Sequence, residues 1–229
     1  MTYVLIPGAG GAAWYWHRVE AQLRRRGHDV LAVDLPADDE RCGLPEYVDT
    51  ILDAIGDREG DLVLVAQSMG AFSAPQVCLR RPVALLVLVN PMTPAPGETP
   101  GDWWETSGQR AAMRENDRQA GRSADDGFDD ETYFLHDVPD HVAAAGEPHQ
   151  RDQAGTPFGQ PWPLEAWPDV PTRVLIGRDD RLFPAAFQRR LAEGRLGVTP
   201  DEMAGGHLVA LVHPVALTDY LESCRAQVA

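Results

Sequence analysis

No lysine occurs in this sequence, and all twenty of its basic residues are arginine. The lack of an amine side chain excludes mechanisms that depend on one, such as a Schiff base or a lysine-held phosphate. Basic residues are also outnumbered, because thirty-five acidic residues bring the formal net charge to −15. A net charge of this sign and size argues against nucleic acid and against an anionic membrane surface as partners.

Cysteine and long apolar runs are scarce as well. The three cysteines, Cys42, Cys78 and Cys224, lie far apart and show no metal-ligand spacing, so we expect free thiols in a reducing compartment. The apolar run at residues 3–6 is too short for a signal peptide, and no run approaches the length of a membrane span. The sequence therefore predicts a cytoplasmic protein with no metal, no cofactor and no membrane partner. It leaves open whether the protein is a monomer or a homodimer.

Apolar runs alternate with helix-like patterns along most of the chain. The runs that predict strands lie at residues 2–6, 29–34, 61–66, 83–89, 172–176 and 198–203. The stretches that predict helices lie between and after them, at residues 14–26, 45–55, 69–80, 187–196 and 213–226. Such alternation is typical of an α/β fold with a parallel sheet covered by helices on both faces. We expect functional residues directly after the strands, because ligands bind at the carboxyl ends of such sheets.

Residues 91–169 interrupt this alternation. The segment is rich in proline and glycine, has one clear helical pattern at residues 109–121, and carries most of the net negative charge. It is too long for a plain connection, so we predict a cap or lid inserted into a core made of residues 1–90 and 170–229. A partly disordered surface insertion is the alternative, and the many aromatic residues of the segment argue against it.

These aromatic residues are candidates for the wall of a substrate pocket. They could equally form a small core within the cap, and the sequence does not decide between the two. The candidates, taken together with Gly8 from the first loop, are Trp103, Trp104, Phe128, Phe134, Phe158 and Trp162.

Ser68 follows the third predicted strand in the pattern Ala66-Gln67-Ser68-Met69-Gly70. This is the G-x-S-x-G nucleophile elbow, except that Ala66 stands at the first glycine. The elbow is a tight strand-to-helix turn that lifts the serine Oγ above the sheet edge, and it needs small residues two positions to either side. Alanine meets that need, so we predict a nucleophilic serine; a simple helix N-cap is the alternative.

A serine nucleophile needs a base and an acid that orients the base. His207 lies in the loop just past the last predicted strand and is the candidate base, whereas His213 is expected to begin the final helix. Asp180 is the candidate acid after the fifth strand, with the adjacent Asp179 as the fallback. Asn90 follows the fourth strand, where this kind of fold can also carry the acid, but a neutral amide cannot take that role.

The third requirement is an oxyanion hole, which backbone N–H groups can supply. The candidate donors are Met69, directly after the serine, and Ala9, in a loop of small residues at 7–13. The same loop also formally matches a dinucleotide-binding turn, with Asp34 as the ribose acid. That alternative leaves the serine, the aspartate and the histidine unexplained.

The segments at residues 4–16, 66–72, 177–190 and 205–214 resemble the α/β-hydrolase superfamily. The resemblance is strongest to its compact branch of small-molecule carboxylesterases, plant methylesterases and hydroxynitrile lyases. It implies a six-stranded parallel sheet with strand order 2-1-3-4-5-6, because the chain begins at the strand that is third in fuller members. Two departures are Pro7, where the branch usually has histidine, and Ala66; neither removes a catalytic group.

The resemblance implies a serine carboxylesterase that cleaves a small apolar or aromatic ester through an acyl-enzyme and needs no cofactor. Superfamily members with an aspartate nucleophile do not fit Ser68. The lyases resemble the esterases but need a threonine in the oxyanion loop and a lysine after the catalytic histidine, where this chain has Gly8 and Leu208. Two alternatives stay open: a thioesterase for carrier-bound acyl groups, and a ligand-binding protein with little turnover.

Overall fold

A computed structural model describes residues 1–58, 60–122 and 128–228 of the chain. It contains a six-stranded sheet whose strands are β1 (Thr2–Ile6), β2 (Asp29–Ala32), β3 (Leu62–Gln67), β4 (Leu85–Val89), β5 (Thr172–Gly177) and β6 (Asp201–Met203). The strand order is β2-β1-β3-β4-β5-β6, and every neighbouring pair is parallel. The predicted fold class and strand order are therefore confirmed.

Helices cover both faces of this sheet. They are α1 (His17–Arg25), α2 (Leu44–Ile55), α3 (Ala74–Cys78), α4 (Pro100–Thr106), α5 (Gln109–Gln119), α6 (Asp140–Gly146), α7 (Ala185–Leu191), α8 (Val209–Val212) and α9 (Pro214–Ala226). Successive side chains of a strand point to opposite faces. Accordingly, Tyr3 and Leu5 of β1 pack in one buried cluster with α1 and α9, and Val4 and Ile6 pack in a second cluster with α2 and α3.

Shorter turns complete the described chain. The 3₁₀ turns are Ala13–Trp16, Ser68–Phe72, Glu147–His149 and Thr156–Gly159, and the π turns are Glu131–Leu135 and Ala192–Leu196. The helix predicted at residues 69–80 is in fact one of these turns followed by the short α3. The strand predicted at 198–203 is shortened to Asp201–Met203, because Pro200 has no N–H to donate to a neighbouring strand.

The segment at residues 91–169 contains α4 and α6 in addition to the predicted helix, which is α5. It packs on the core through a third apolar cluster, in which Trp103 of α4 lies against Phe183 and Phe187. Their ring centroids are 5.0 and 5.7 Å from that of the tryptophan. That the segment acts as a cap stays a prediction.

The three cysteines are free thiols. Burial raises the pKa of the Cys78 thiol to about 12, so this side chain behaves as an apolar filler near neutral pH. Within the described ranges, none of the helices combines the length and apolar character that crossing a membrane requires.

Gly177, at the end of β5, gives a stability prediction. A Cβ there would collide with the carbonyl oxygen of Gly205 and lie 2.7 Å from that of Gly206. We expect Gly177→Ala to lower the free energy of unfolding by about 1–3 kcal/mol, because the backbone must shift. Denaturant unfolding measures this, with Gly194→Ala as the control, since a Cβ there meets nothing within 4 Å. Equal stability of the two variants would contradict the prediction.

Candidate active site

Ser68 occupies a strained turn directly after β3. Its φ of 51° lies in the left-handed region that residues with a side chain rarely adopt. Gly70 allows this turn to close, because a Cβ there would lie 2.7 Å from the carbonyl oxygen of Pro7. Ala66 is fully buried and pairs with Ile6 of β1. The glycine two residues after the serine is thus required by close packing against the end of β1, and the alanine two residues before it lies buried in the sheet.

Asp180 and His207 form a buried pair at the same edge of the sheet. The distance from His207 Nδ1 to Asp180 Oδ2 is 2.8 Å, and both side chains are almost fully buried. The other carboxylate oxygen of Asp180 accepts the Phe183 N–H at 2.8 Å, and Gln188 Nε2 donates to Oδ2 at 3.2 Å. When Nδ1 carries the proton that binds the carboxylate, Nε2 is left as a proton acceptor.

The adjacent carboxylate, Asp179, has a different partner. It accepts the N–H of Gly205 at 2.9 Å, and its own N–H donates to the Gly205 carbonyl at 3.1 Å. Within the described ranges no hydrogen bond joins it to His207. His213, the other candidate base, directly precedes Pro214 and forms the N-cap of α9.

Asn90 is a structural residue whose contacts the sequence did not predict. It is fully buried after β4, and its φ is 44°. Its Oδ1 accepts the Gly177 N–H at 2.7 Å, and its Nδ2 donates to the carbonyl oxygens of Gly206 and His207 at 3.0 and 3.1 Å. The side chain therefore joins the ends of β4 and β5 to the loop that carries His207. A polar residue that directly follows an unbroken apolar strand is the signal that could have found it.

The loop after β1 lies against the serine. A Cβ on Gly8 would be 2.9 Å from the Cβ of Ser68, so glycine is needed for this approach. Ala9 is exposed, and its N–H donates to no other residue of the described ranges. Met69 is the second residue of a 3₁₀ turn, where the N–H has no partner within the turn. Both candidate oxyanion donors are therefore free to bind a substrate atom.

A cavity of about 720 Å³ borders this loop. Two of the predicted pocket residues, Gly8 and Phe134, line it, and the ring centroid of Phe134 is 5.3 Å from that of His207. Much of the remaining wall was not predicted. Its apolar side chains include Trp14, Tyr15, Leu135, Val142, Ala143 and Leu208. The position of Trp14 and Tyr15 next to the small-residue loop was the available signal.

The other predicted pocket residues lie outside that cavity. Trp103 and Trp162 are buried in the third apolar cluster, and Trp104 and Phe158 pack against it. Phe128 is 57% exposed and stacks on Tyr133 with the ring centroids 5.0 Å apart. These five aromatic residues do not form the wall next to the loop at residues 7–13.

A second, polar cavity of about 630 Å³ adjoins Asp180 on the side of the inserted segment. Its lining residues include Asp137, which accepts the Gly206 N–H at 2.6 Å, and His136. Burial lowers the pKa of His136. In the part of the chain that the structure describes, no group of three or more His, Cys, Asp or Glu side chains is placed to bind a metal ion.

Known proteins similar to this chain include esterases and methylesterases. A model of the alpha/beta hydrolase family matches residues 3–219. The chain is 39% identical to Methylesterase 7 of Arabidopsis thaliana over 82 residues, which are 31% of this chain and 32% of that protein. It is 37% identical to the probable esterase PIR7A of Oryza sativa subsp. indica over 113 residues, 43% of this chain and 42% of that protein. The matches thus span less than half the length of these relatives.

Solved structures extend the likeness to the whole fold. The crystal structure of polyneuridine aldehyde esterase superposes with a TM-score of 0.80 at 16% identity and covers 98% of each chain. A methylesterase from Arabidopsis, MES16, superposes with a TM-score of 0.77 at 17% identity and covers 99% of each chain. At these identities the likeness shows the fold.

Proposed function

Because the chain belongs to the alpha/beta hydrolase family, we propose that it is a serine carboxylesterase with Ser68, His207 and Asp180 as its catalytic triad. The observation that carries the proposal is the buried His207–Asp180 pair, at 2.8 Å, on the sheet edge where the strained serine also lies. The names of the esterase and methylesterase relatives support the same activity.

The first half-reaction acylates the serine. Ser68 Oγ attacks the ester carbonyl carbon while His207 Nε2 takes the hydroxyl proton. The Ala9 and Met69 N–H groups bind the oxyanion of the tetrahedral intermediate. The C–O bond to the alcohol then breaks, and His207 donates its proton to the leaving alkoxide, which departs as the alcohol.

The second half-reaction releases the acid. Water attacks the acyl-enzyme carbonyl while His207 takes a proton from it, and the second tetrahedral intermediate is bound by the same N–H groups. Its collapse breaks the bond to Ser68 Oγ, which regains a proton from His207. Asp180 stabilises the imidazolium in both halves, and its bonds to Phe183 and Gln188 keep the carboxylate oriented.

The cavity beside the loop supports a small apolar or aromatic ester as the substrate. A volume of about 720 Å³ lies in the range of sites for small molecules. Apolar side chains of Trp14, Phe134 and Leu208 form part of its wall, beside several polar and charged residues, and Leu208 directly follows the candidate base. No observation on this cavity favours a carrier-bound thioester as the substrate, so the assays described below compare thioesters with oxygen esters.

We expect Ser68→Ala to abolish hydrolysis of a short p-nitrophenyl ester while the protein stays folded. The reason is that no other hydroxyl occupies the elbow. The same variant should lose labelling by a fluorophosphonate, measured by intact mass. Ser73→Ala, a buried serine in the next helical segment, is the matched control and should retain both. Wild-type rates in Ser68→Ala would overturn the mechanism, and a wild-type protein that fails to label would favour a binding protein.

The two neighbouring carboxylates give a matched pair. Asp180→Asn should lower kcat by about 10³- to 10⁴-fold, because an amide neither holds the required His207 tautomer nor stabilises the imidazolium. Asp179→Asn should keep kcat within about threefold, since an amide oxygen can still accept the Gly205 N–H. Steady-state kinetics at one pH measure both. The reverse order of the two effects would assign the acid role to Asp179.

Substrate charge gives the third test. Exposed carboxylates of Asp130, Glu147 and Asp152 border the cavity, and the cation there, Arg151, is already paired with Asp34 at 2.7 Å. We expect kcat/KM for a carboxylated ester to be about three- to tenfold below that for its neutral isostere at low salt. The gap should narrow at high salt. A ratio of the two kcat/KM values that is the same at low and at high salt would contradict the electrostatic explanation.

In the same assays, a strong preference for a thioester over the matched oxygen ester would indicate a thioesterase.

A further inference from the structure

The inserted segment returns to the core along the glycine loop, and residues 151–154 lie beside it. Gln153 Oε1 accepts the Gly10 N–H at 3.0 Å, and Arg151 Nη2 donates to the Gly11 carbonyl at 2.7 Å. The loop is thus bound from outside at two successive residues, both through side chains of the insertion.

Both side chains are themselves held in place. Arg151 Nη2 also donates to Asp34 Oδ1 at 2.7 Å, and the same oxygen accepts the Ala13 N–H at 2.9 Å. Gln153 Nε2 donates to the hydroxyl of Tyr47, on α2, at 3.0 Å. Neither bond to the loop therefore depends on a freely moving side chain.

The loop needs such support because of its composition. Gly10 and Gly11 adopt φ values of 77° and 63°, and glycine has the greatest backbone freedom to lose on folding. Ala9, the candidate oxyanion donor, lies between Gly8, which packs on the serine, and Gly10, which Gln153 holds. An oxyanion hole is effective only when its donors are oriented before the charge develops.

We propose that Gln153, with Arg151, is a positioning residue that fixes the Ala9 N–H for the oxyanion. The inference rests on the proposed esterase function. Gln153 does not line the cavity and acts through the peptide between Ala9 and Gly10. It should therefore stabilise the transition state, in which the oxyanion forms, and should not contribute to substrate binding.

The first test is the variant Gln153→Met, which keeps the shape of the side chain and removes the bond. We expect kcat for a short p-nitrophenyl ester to fall about tenfold or more, with KM within about twofold. Gln160→Met is the matched control, because Gln160 Oε1 accepts the Leu44 N–H at 2.6 Å in the same insertion but away from the loop. Gln160→Met should lower Tm by about as much as Gln153→Met does, and its kcat should stay within about twofold of the wild-type value.

The second test reads the loop without using activity. Amide hydrogen exchange over residues 8–13, followed by mass spectrometry, should be faster in Gln153→Met than in wild type and in Gln160→Met. Unchanged exchange, or faster exchange with an unchanged kcat, would overturn the proposal. Turnover that survives Ser68→Ala would instead reject the esterase mechanism, while the exchange result still decides whether Gln153 holds the loop.

Arg151 supplies independent variants in case Gln153→Met does not fold. Arg151→Met removes the bonds to Gly11 and Asp34 and should lower kcat and speed exchange in the same way. Arg151→Lys keeps the positive charge and one donor nitrogen, so its kcat and its exchange rate should both lie closer to those of wild type. A wild-type kcat and wild-type exchange in Arg151→Met would contradict the proposal.

Discussion

Close backbone approach at the carboxyl edge of the sheet is the constraint on which the site depends. Three contacts there leave no room for a Cβ: Gly70 against Pro7, Gly8 against Ser68, and Gly177 against Gly206. The first two contacts join the loop after β1 to the serine turn after β3, and the third joins the end of β5 to the histidine loop after β6. Protein interiors are packed as densely as organic crystals. One added methyl group at such a contact must therefore move the backbone rather than a side chain. The glycines therefore allow the serine turn to lie against the loop after β1, and the histidine loop to lie against the end of β5, at the same edge of the sheet.

Buried polar groups then fix these side chains within the edge. A carboxylate such as that of Asp180 is costly to bury unless several donors bind it, and here it binds His207, Phe183 and Gln188. Asn90 does the same for the backbone, since it binds one N–H and two carbonyl groups that have no strand partner. The low dielectric that makes these groups costly alone also strengthens the bonds between them. The geometry of the histidine loop is thus maintained by hydrogen bonds as well as by close approach to Gly177. The serine turn is held by close contact with the loop after β1 and by the Met92 N–H, which donates to the Ser68 carbonyl oxygen at 3.0 Å.

The sheet and the location of the candidate site could be predicted from the sequence, because both depend on local pattern. Apolar strand runs and the order of helices determine the topology, and a parallel topology brings Ser68, Asp180 and His207 to one edge. The cavity wall could not be predicted in this way. Amphipathic pattern tells which side chains are buried but not which neighbours they meet, so Trp103 and Phe134 looked equivalent. In the structure Trp103 lies in the third apolar cluster, and Phe134 lies beside His207.

The inserted segment contacts the candidate site at three points, so we expect the shape of the cavity to be coupled to the positions of His207 and of the loop after β1. Phe134 lies against the His207 ring, Asp137 binds the Gly206 N–H, and Gln153 binds Gly10 in the other loop. If the inserted segment were a simple lid, a substitution that changed the shape of the pocket would leave the structure at the edge of the sheet unchanged. Here the stretch at residues 134–143 forms part of the cavity wall and also holds the histidine loop. We therefore expect a substitution that widens the cavity at Phe134 to alter the packing around His207 as well.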